Sequence, residues 1–358
     1  MSITGKVGSS NATGYYGPST SYISVGTADA NNSVTIYWVE DSSWYYIQYP
    51  ASSAPYRRMY VQKDKIIANG TPDLYTPSLH TNPPTGGTRY IVSNGGATLH
   101  AGPGFDYPFA IAMLRGSAVT YFEPQKENNF AFVEAVVNGK KYRVWVNAVY
   151  LSATAPTSST ATIFASACTT LTNTISMAQR NANATYIRDS LMSQGYTKNA
   201  ACAVIGNMYQ ESGMNPGIWQ SLDNTSQGYG LVQSSPATKF LNWAVDNGVI
   251  STATSTTIDA LANSSNKQKL MDAGLTFFMA SMLDATSAGK QWYKPSEVGA
   301  TNNSGYSMTA HQFMTSTLSA RTLAMVFHDH YERSKDSKTA IDNNRGTPAE
   351  NFYNNGSF

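Results

Sequence analysis

An internal repeat constrains the fold of the first half of the chain more than any other feature. Four short segments return about 85 residues later in the same order. The pairs are Gly17-Pro18-Ser19 with Gly102-Pro103-Gly104, Ser33–Trp38 with Ser117–Phe122, Trp44–Tyr49 with Phe130–Ala135, and Arg58–Val61 with Arg143–Val146. A fixed offset at four places indicates two copies of one module. The segments are rich in β-branched and aromatic residues, so both modules are predicted to be all-β.

The clearest boundary in the sequence is a low-complexity segment. Residues 152–161 read SATAPTSSTA, a composition typical of a linker. Alternating apolar residues precede it, whereas helical spacing follows it. We therefore predict a multidomain chain with two small all-β, SH3-like barrels and one mainly α domain. The predicted modules are 1–68 and 89–152, the helical domain is 166–358, and the linkers are 69–88 and 153–165.

One helix of the second half ends in an acidic residue. Its apolar stripe is formed by Ala201, Val204, Ile205 and Met208. Glu211 continues this stripe, and Gly213 and Pro216 then end the helix. A carboxyl group at the edge of a buried stripe is partly dehydrated, and dehydration raises the pKa of a carboxylic acid. Glu211 is therefore predicted to be a general acid for glycoside cleavage.

Other helix signals surround this segment. Thr197 and Ser319 precede apolar-periodic runs and are predicted N-caps. A first helix is predicted to end at Gly195. Another helix is predicted to belong to the core through Met271, Leu275, Phe278, Met279 and Met282.

The motifs around Glu211 resemble a known family. Glu211-Ser212, Asn215-Pro216 and the segment Gly228–Gln233 (GYGLVQ) are similar to the lysozyme-like superfamily, and closest to the phage tail lysozymes, which cut the glycan strands of peptidoglycan. The likeness covers roughly residues 180–355 and includes Tyr331-Glu332-Arg333. It implies a lysozyme-like domain whose substrate-binding residues are Ser212, Tyr229, Gly230, Gln233 and Tyr331. Ser234 stands where these enzymes usually carry an aromatic residue, so a ring that stacks on a sugar is missing there.

A second carboxyl group is expected because most glycosidases use two. Asp223 lies twelve residues after Glu211 in a polar loop and is the best candidate by sequence. The likeness to goose-type lysozymes implies that such a residue positions water for an inverting attack. The alternative is a solvated aspartate that caps a turn. Glu332 and Arg333 are predicted to form an ion pair rather than to act in catalysis.

Three functions stay open at this point. The first is a muramidase that hydrolyses the bond between N-acetylmuramic acid and N-acetylglucosamine. The second is a lytic transglycosylase, in which the muramic acid's own hydroxyl attacks and no second carboxylate is needed. The third is a non-catalytic wall-binding phage protein. The sequence separates neither a free endolysin from a tail-borne lysin nor one target wall from another.

The two β modules resemble the bacterial SH3-type (SH3b) cell-wall-binding domains. The Gly-Pro turn, the central aromatic strand and the Tyr-Val or Trp-Val pair near the end of each module carry the likeness. It implies a groove of aromatic and loop residues that contacts the wall. The candidates are Tyr16, Tyr22, Trp44 and Tyr60 in the first module and His100, Phe105, Tyr107 and Trp145 in the second. Aromatic residues also fill β cores, and this alternative is favoured for Tyr60 and Trp145.

Several other classes of protein are disfavoured. Charged residues make up 13% of the chain and the net charge is +2, so no nucleic-acid partner is predicted. Metallopeptidase and serine-hydrolase motifs are absent from the sequence. Two histidines flank Asp329, but residues two apart on a helix point to different faces, so they are predicted to be solvated or packed rather than metal-bound. No cofactor is expected.

Cysteine content and the N-terminus bear on the compartment. Cys168 and Cys202 do not form a framework, Cys202 is predicted to be a small core residue, and a disulfide between the two is left open. The first 30 residues lack the pattern of a signal peptide, and no apolar run is long enough to span a membrane. The predicted partner is peptidoglycan, reached through a phage holin, through lysis or on a phage particle. The oligomeric state is not indicated.

Overall fold

The computed structural model describes residues 2–50, 56–72, 87–157, 161–282 and 289–358. It divides into two compact units. The first comprises Met1–Val92, Leu99–Ile111 and Gly116–Ala155, and the second comprises Ser93–Thr98, Ala112–Arg115 and Pro156–Phe358. The prediction of a multidomain chain, β-rich at the start and helical afterwards, is confirmed. Residues 73–86 of the first predicted linker and 158–160 of the second lie outside the described residues.

Two seven-stranded sheets form the β-rich part. The first contains β1 (Ile3–Val7), β2 (Ala12–Tyr15), β3 (Ser24–Ala28), β4 (Ser33–Val39), β5 (Trp44–Pro50), β6 (Tyr56–Gln62) and β7 (Ile66–Ala68). The second contains β8 (Thr88–Ile91), β9 (Ala97–His100), β10 (Phe109–Met113), β11 (Ala118–Glu127), β12 (Phe130–Val137), β13 (Lys140–Asn147) and β14 (Leu151–Ser152). A 3₁₀ turn, Lys63–Lys65 or Ala148–Tyr150, precedes the last strand of each sheet.

The strand order of the two sheets is the same. It runs β3-β2-β6-β5-β4-β1-β7 in the first and β10-β9-β13-β12-β11-β8-β14 in the second. Each strand of the second sheet therefore corresponds to the strand seven positions earlier. The internal repeat predicted from the sequence is confirmed at the level of topology.

The repeated Gly-Pro turn has a steric cause. A Cβ atom on Gly17 would lie 2.3 Å from the ring of Tyr22, and one on Gly102 would lie 1.8 Å from the ring of Tyr107. Neither contact is tolerable, so only glycine lets the tyrosine five residues later fold back over the turn. The same side-chain contact thus explains why the motif occurs in both modules.

The two β modules share one aromatic core. Its buried members come from both: Trp38, Trp44, Tyr46, Tyr60, Phe122, Phe130, Phe132 and Trp145. The indole Nε1 of Trp145 donates a hydrogen bond to the hydroxyl of Tyr46 at 2.8 Å. The ring of Phe132 lies 5.0 Å from that of Trp145 and 5.8 Å from that of Tyr46. The contact between modules therefore has the character of a protein interior.

Two equivalent arginines reinforce this contact by reaching into the opposite module. Arg58 donates to both carboxylate oxygens of Glu127 at 2.7 and 2.8 Å. Arg143, which corresponds to Arg58, donates through Nη1 to Glu40 Oε1 of the first module at 2.5 Å. Two backbone hydrogen bonds also cross the contact. The amide of Arg58 donates to the carbonyl oxygen of Ala101 at 2.7 Å, and that of Arg143 donates to the carbonyl oxygen of Tyr16 at 2.6 Å. Each module thus supplies one arginine that binds a glutamate and a backbone carbonyl oxygen of the other module.

The second unit is built from ten α-helices. They are α1 (Met177–Ser193), α2 (Lys198–Ser212), α3 (Thr238–Asp246), α4 (Ser255–Asn263), α5 (Lys267–Met282), α6 (Pro295–Val298), α7 (Ala310–Met314), α8 (Ala320–Phe327), α9 (Lys338–Ile341) and α10 (Thr347–Asn355), counted over the described residues. Two π-helical turns, His328–Glu332 and Asp342–Gly346, follow α8 and α9. Two short parallel strands, β15 (Cys168–Thr169) and β16 (Ile218–Trp219), and a 3₁₀ turn at Thr170–Thr172 complete the unit.

Local helix signals are confirmed. The Thr197 hydroxyl accepts the amide of Ala200 at the start of α2, and the Ser319 hydroxyl accepts that of Thr322 at the start of α8. Gly213 ends α2 in the left-handed conformation with φ of 54°. The first helix ends at Ser193, slightly earlier than predicted. The predicted core face of α5 is buried at all five positions.

Two histidines and two cysteines lie inside the helical unit. His328 and His330 are both buried, so of the two predicted alternatives the packed one is correct. His330 stacks on Trp292 at 4.8 Å, and its Nε2 accepts the backbone amide of Met308. Cys168 and Cys202 are buried free thiols, and Cys202 is a core residue as predicted.

A buried aspartate in α5 should make the stability of the helical unit depend on pH. The carboxylate of Asp272 accepts hydrogen bonds from the amide of Gly95, at 2.8 Å, and from the hydroxyl of Tyr186. Burial outweighs these bonds and raises the pKa of Asp272 to about 6. The pKa of Asp272 is therefore higher in the folded protein than in the unfolded chain. The neutral carboxyl group contributes its full stabilisation of the fold below about pH 4, and this contribution is lost as the pH rises through about 6.

We therefore expect Asp272→Asn to remove this dependence. Relative to the variant, the wild-type protein should lose stability between pH 4 and 7, by up to about 3 kcal/mol. Thermal unfolding followed by the helical circular-dichroism signal across this range measures the difference. Asp189→Asn, at a side chain that is 61% exposed, is the control. Parallel pH profiles for wild type and Asp272→Asn would contradict the expectation.

Candidate active site

Glu211 lies in the last turn of α2, and a glycine lets another segment approach it. A Cβ atom on Gly206 would lie 2.3 Å from the carbonyl oxygen of Arg345 and 2.7 Å from the Cβ of Ala349. The absence of a side chain at Gly206 thus allows the turn Asp342–Gly346 to pack directly on α2. This packing brings the side chain of Arg345 within reach of Glu211.

Arg345 is the ionic partner of Glu211. Its Nη1 donates to Glu211 Oε1 at 2.7 Å, and its Nη2 lies 3.7 Å from Asp336 Oδ2. The Arg345 side chain is only 4% exposed, whereas that of Glu211 is 20% exposed. A guanidinium at this distance stabilises the charged form of a carboxylate. Sequence reasoning missed Arg345 because the pair is separated by 134 residues and no local motif marks it.

Glu332 is a second acidic residue close to Glu211. It ends the π-helical turn that follows α8. Burial raises the pKa of Glu332 well above its usual range, and the charge on Glu211 raises it further. Its Oε1 is buried and has no hydrogen-bond partner. The combination of a dehydrated carboxyl group and a neighbouring carboxylate is typical of acid–base sites.

The predicted ion pair between Glu332 and Arg333 does not form. Arg333 instead donates through Nη1 to the carbonyl oxygens of Gln291, at 2.7 Å, and His330. Its backbone is in the left-handed region with φ of 55°, which turns the side chain away from that of its neighbour. The prediction was wrong because the Arg333 guanidinium binds these two backbone carbonyl oxygens rather than the neighbouring carboxylate.

A small cavity of about 150 Å³ opens beside Glu332. Its wall combines polar and aromatic side chains from α3, α5, the π-helical turn and the GYGLVQ segment. The lining residues are Val232, Gln233, Ser234, Ser235, Lys239, Phe277, Ser281, Gln291, Tyr331 and Glu332. Gln233 and Tyr331, both predicted to bind substrate, thus lie on the same cavity. The hydroxyl oxygen of Tyr331 is 2.8 Å from that of Ser281, which fixes the tyrosine ring in the wall.

A tight turn in the GYGLVQ segment places Gln233 at the cavity. Gly230 has φ of 79°, and its amide donates to the carbonyl oxygen of Ile218 at 2.9 Å. Gln233 Nε2 donates to the carbonyl oxygens of Gly230 and Ile218, which leaves its Oε1 buried without a partner. A Cβ atom on Gly228 would lie 2.9 Å from that Oε1 and 3.0 Å from the carbonyl oxygen of Gln233, so a side chain there would push against the turn.

Two other predicted substrate-binding residues lie in the interior. The ring of Tyr229 is 1% exposed and packs between Trp219, at 4.5 Å, and Phe240, at 5.6 Å. The hydroxyl of Ser212 is buried and donates to the carbonyl oxygen of Met208 at 2.7 Å. Both side chains therefore support the walls of the site, and their contact with substrate stays a prediction.

Asp223 occupies the exposed tip of the loop that leads from β16 to the GYGLVQ segment. Its backbone is left-handed with φ of 60°. Its close acidic neighbour is Asp259, which accepts a hydrogen bond from Trp219 Nε1 at 2.8 Å. Burial and then the nearby Asp223 raise the pKa of Asp259. Within the described residues no hydrogen bond joins Asp223 to Glu211, and its role as a second catalytic carboxylate stays a prediction.

The eight candidate wall-binding residues are largely occupied in packing. Tyr16, Trp44, Tyr60, His100 and Trp145 are each no more than 8% exposed. The packing interpretation of Tyr60 and Trp145 is confirmed. The other three are partly buried: Tyr22 donates to Glu134 and Tyr107 donates to Gln48 across the module contact, while Phe105 packs on the shared core. An exposed groove does not form from the five buried side chains, because the two modules cover them. Wall binding stays a prediction.

Among the described residues, no group of three or more histidine, cysteine, aspartate or glutamate side chains is arranged to hold a metal ion. Across the same part of the chain, no helix combines the length and apolar character needed to cross a membrane.

Comparison with known proteins bears on the helical unit. The family model for phage tail lysozymes matches residues 182–355, a stretch that contains Glu211, Gln233, Glu332 and Arg345. Morphogenesis protein 1 of Bacillus phage B103 is 39% identical over 181 residues, which are 50% of this chain and 40% of that relative. The chain thus spans about two fifths of that relative's length. The C-terminal part of the chain thus matches the family model for phage tail lysozymes and has a phage morphogenesis protein as a homologue.

Solved structures add little. NlpC2 and NlpC1 from Trichomonas vaginalis each match with 10% identity and a TM-score of 0.18. The first match covers 53% of this chain and 56% of that structure, and the second covers 43% and 46%. At this TM-score neither match indicates a shared fold.

Proposed function

We propose that the helical domain hydrolyses the glycan strands of bacterial peptidoglycan between N-acetylmuramic acid and N-acetylglucosamine, with Glu211 as the general acid. The observation that carries this proposal is the position of Glu211. It lies at the end of a buried helix, next to a second carboxyl group on a cavity lined by Gln233 and Tyr331. The match of residues 182–355 to phage tail lysozymes supports the choice of substrate.

The proposed reaction assigns one task to each part of the site. Glu211 protonates the glycosidic oxygen as the bond to the anomeric carbon breaks, and water adds to that carbon. Gly230 brings backbone close to the sugar, and Gln233 and Tyr331 contact it from the cavity wall. Asp223 positions the attacking water from the loop after β16.

The β-rich unit is proposed to hold the enzyme on its substrate. Its two modules resemble SH3b domains, and their shared aromatic core makes them one body rather than two independent binders. A phage-borne protein of this kind acts on the host wall from the phage particle or after release. Attachment to a repetitive polymer raises the local concentration of the catalytic domain at its substrate.

The products of digestion test the proposed chemistry. Purified peptidoglycan is treated with the full chain, and the soluble fragments are analysed by mass spectrometry. Reducing muramic-acid ends support the hydrolase. Anhydro-muramic ends would overturn hydrolysis in favour of a lytic transglycosylase, in which the substrate supplies the attacking hydroxyl.

Asp223→Asn separates these two reactions further. If Asp223 positions water, we expect the variant to release reducing ends at least about 100-fold more slowly than wild type, because base assistance to the attacking water is lost. Asp259→Asn, which changes the neighbouring carboxylate and keeps Asp223, is the matched control and should retain most activity. Full activity in Asp223→Asn would contradict the proposed role.

A further inference from the structure

We propose that the cavity beside Glu332 recognises the substituents of muramic acid, with Glu332 binding an amide group and Lys239 binding a carboxylate of the attached peptide. This inference rests on the proposed function, since it names the part of the peptidoglycan strand that the cavity takes. It makes the helical domain selective for glycan strands whose peptides are acidic.

The size of the cavity favours a substituent over a whole sugar. Its volume is about 150 Å³. Pockets that enclose a complete small-molecule ligand usually measure at least about 300 Å³. A water molecule takes up about 30 Å³ of liquid, so the space in the cavity corresponds to about five water molecules. An acetamido group, or the first amide of a peptide, is of this size.

The base of the cavity contains a hydrogen-bonding group that lacks a partner. Phe277, Ser281 and Tyr331 are each no more than 3% exposed and form the buried base. Glu332 lines the same space, and its Oε1 is buried without a hydrogen-bond partner. An unpaired buried oxygen is costly for a purely structural residue. A ligand that brings an N–H group into the cavity is therefore a favourable partner for this oxygen.

Glu332 suits an amide because its carboxyl group is uncharged. Burial raises the pKa of Glu332 well above its usual range, and the charge on Glu211 raises it further. A protonated carboxyl group donates through its hydroxyl and accepts through its carbonyl oxygen. An amide has the complementary groups, a carbonyl oxygen and an N–H. Muramic acid carries amides in its acetamido substituent and in the bond to its peptide.

A positive charge lies at the rim of the cavity. Lys239 and Ser235 line the cavity and are exposed, so they lie at its opening. Lys239 takes part in none of the ion pairs that the described residues of the helical unit form. Its ammonium group can therefore bind a carboxylate. The peptide on muramic acid contains carboxylates, whereas N-acetylglucosamine has none, so this charge favours the peptide-bearing sugar.

Binding of small muramyl peptides tests the role of Lys239 without turnover, because these probes contain no bond between two sugars. The probes are N-acetylmuramyl-L-alanyl-D-glutamate and its diamide, in which both glutamate carboxyls are neutral. Affinity for the full chain is measured by isothermal titration calorimetry at low salt. We expect the acid to bind about fivefold more tightly than the diamide, which is the upper end for an exposed ion pair. Lys239→Gln should remove this difference.

The control for Lys239→Gln is Lys335→Gln, at an exposed lysine that does not line the cavity. This variant should keep the preference for the acid. Equal affinities of the wild-type protein for the two probes would overturn the inference. A preference that survives in Lys239→Gln would overturn it as well.

Two substitutions at Glu332 test the amide contact. Glutamine keeps a donor and an acceptor and should bind both probes within about threefold of wild type, whereas leucine has neither and should weaken both by about tenfold. Ser234→Phe, which adds a ring to the cavity wall, should also weaken both probes. Thermal unfolding establishes which variants are folded. Wild-type affinity in Glu332→Leu or in Ser234→Phe would overturn the inference.

Digestion of peptidoglycan separates this inference from the proposed function. Intact strands are compared with strands whose peptide carboxyls have been amidated, and the ratio of the two kcat/KM values measures the preference. We expect wild type to prefer intact strands and Lys239→Gln to lower this preference through KM. Release of fragments without any preference, in strands or probes, would reject the inference and keep the hydrolase. Selective binding of the acidic probe without release of fragments would reject the hydrolase and keep the recognition site.

Discussion

Glu211→Gln is expected to lower kcat/KM for the release of peptidoglycan fragments by at least about 1000-fold, whichever bond-breaking mechanism operates. Both hydrolysis and transglycosylation require a proton on the leaving oxygen, and glutamine cannot supply one. The substitution keeps the size of the side chain, and the amide oxygen can still accept the hydrogen bond from Arg345. The variant should therefore fold, and the decrease in kcat/KM should come from the slower chemical step.

The measurement is the rate of appearance of new reducing or anhydro ends from purified peptidoglycan. Glu350→Gln is the matched control, because it also removes an ion-paired glutamate of the helical unit but lies on α10, outside the cavity. Thermal unfolding of both variants establishes that they are folded. Wall clearing by Glu211→Gln at the wild-type rate would remove the catalytic assignment itself and leave the non-catalytic alternative.

The helix that carries Glu211 could be predicted because its signals are local. The N-cap Thr197, the apolar stripe and the C-terminal Gly213 act within a few residues of one another, and each is observed as expected. The acid's surroundings could not be predicted in the same way. Arg345 and Glu332 reach the site only after α8 and the turn at Asp342–Gly346 have packed on α2, and nothing in their own neighbourhoods in the sequence indicates this.

In the β-rich half, too, features set by neighbouring residues could be predicted, whereas contacts between distant segments could not. The offset of about 85 residues predicted two copies of one module, and the identical strand order confirms it. Alternation along a strand shows which residues share a face, but it does not show whether water, ligand or another module covers that face. The sequence left groove and core open for the eight candidate wall-binding residues and favoured the core for Tyr60 and Trp145, and the structure buries five of the eight.

Trp145→Ala is expected to destabilise the β-rich unit by about 3–5 kcal/mol, which is the usual cost of truncating a large buried aromatic residue. Trp145 is fully buried, packs on Phe132 at 5.0 Å and donates to the hydroxyl of Tyr46 at 2.8 Å. Its loss opens a cavity in the core that both modules share and leaves the Tyr46 hydroxyl buried without its donor. The damage should therefore reach the first module as well as the second.

Hydrogen exchange of the full chain, read by mass spectrometry, measures the opening free energy of each strand. In Trp145→Ala we expect faster exchange in β5 and β6 of the first module as well as in β12 and β13, whereas the amides of α2 should be unchanged. Val149→Ala, at a side chain that is 72% exposed, is the control and should change stability by less than about 0.5 kcal/mol. If Trp145 were instead a surface contact for the wall, the alanine variant would bind peptidoglycan less tightly while its strands exchanged at the wild-type rate. Faster exchange confined to the second module would contradict the shared core, because a core common to both modules must transmit the loss to each of them.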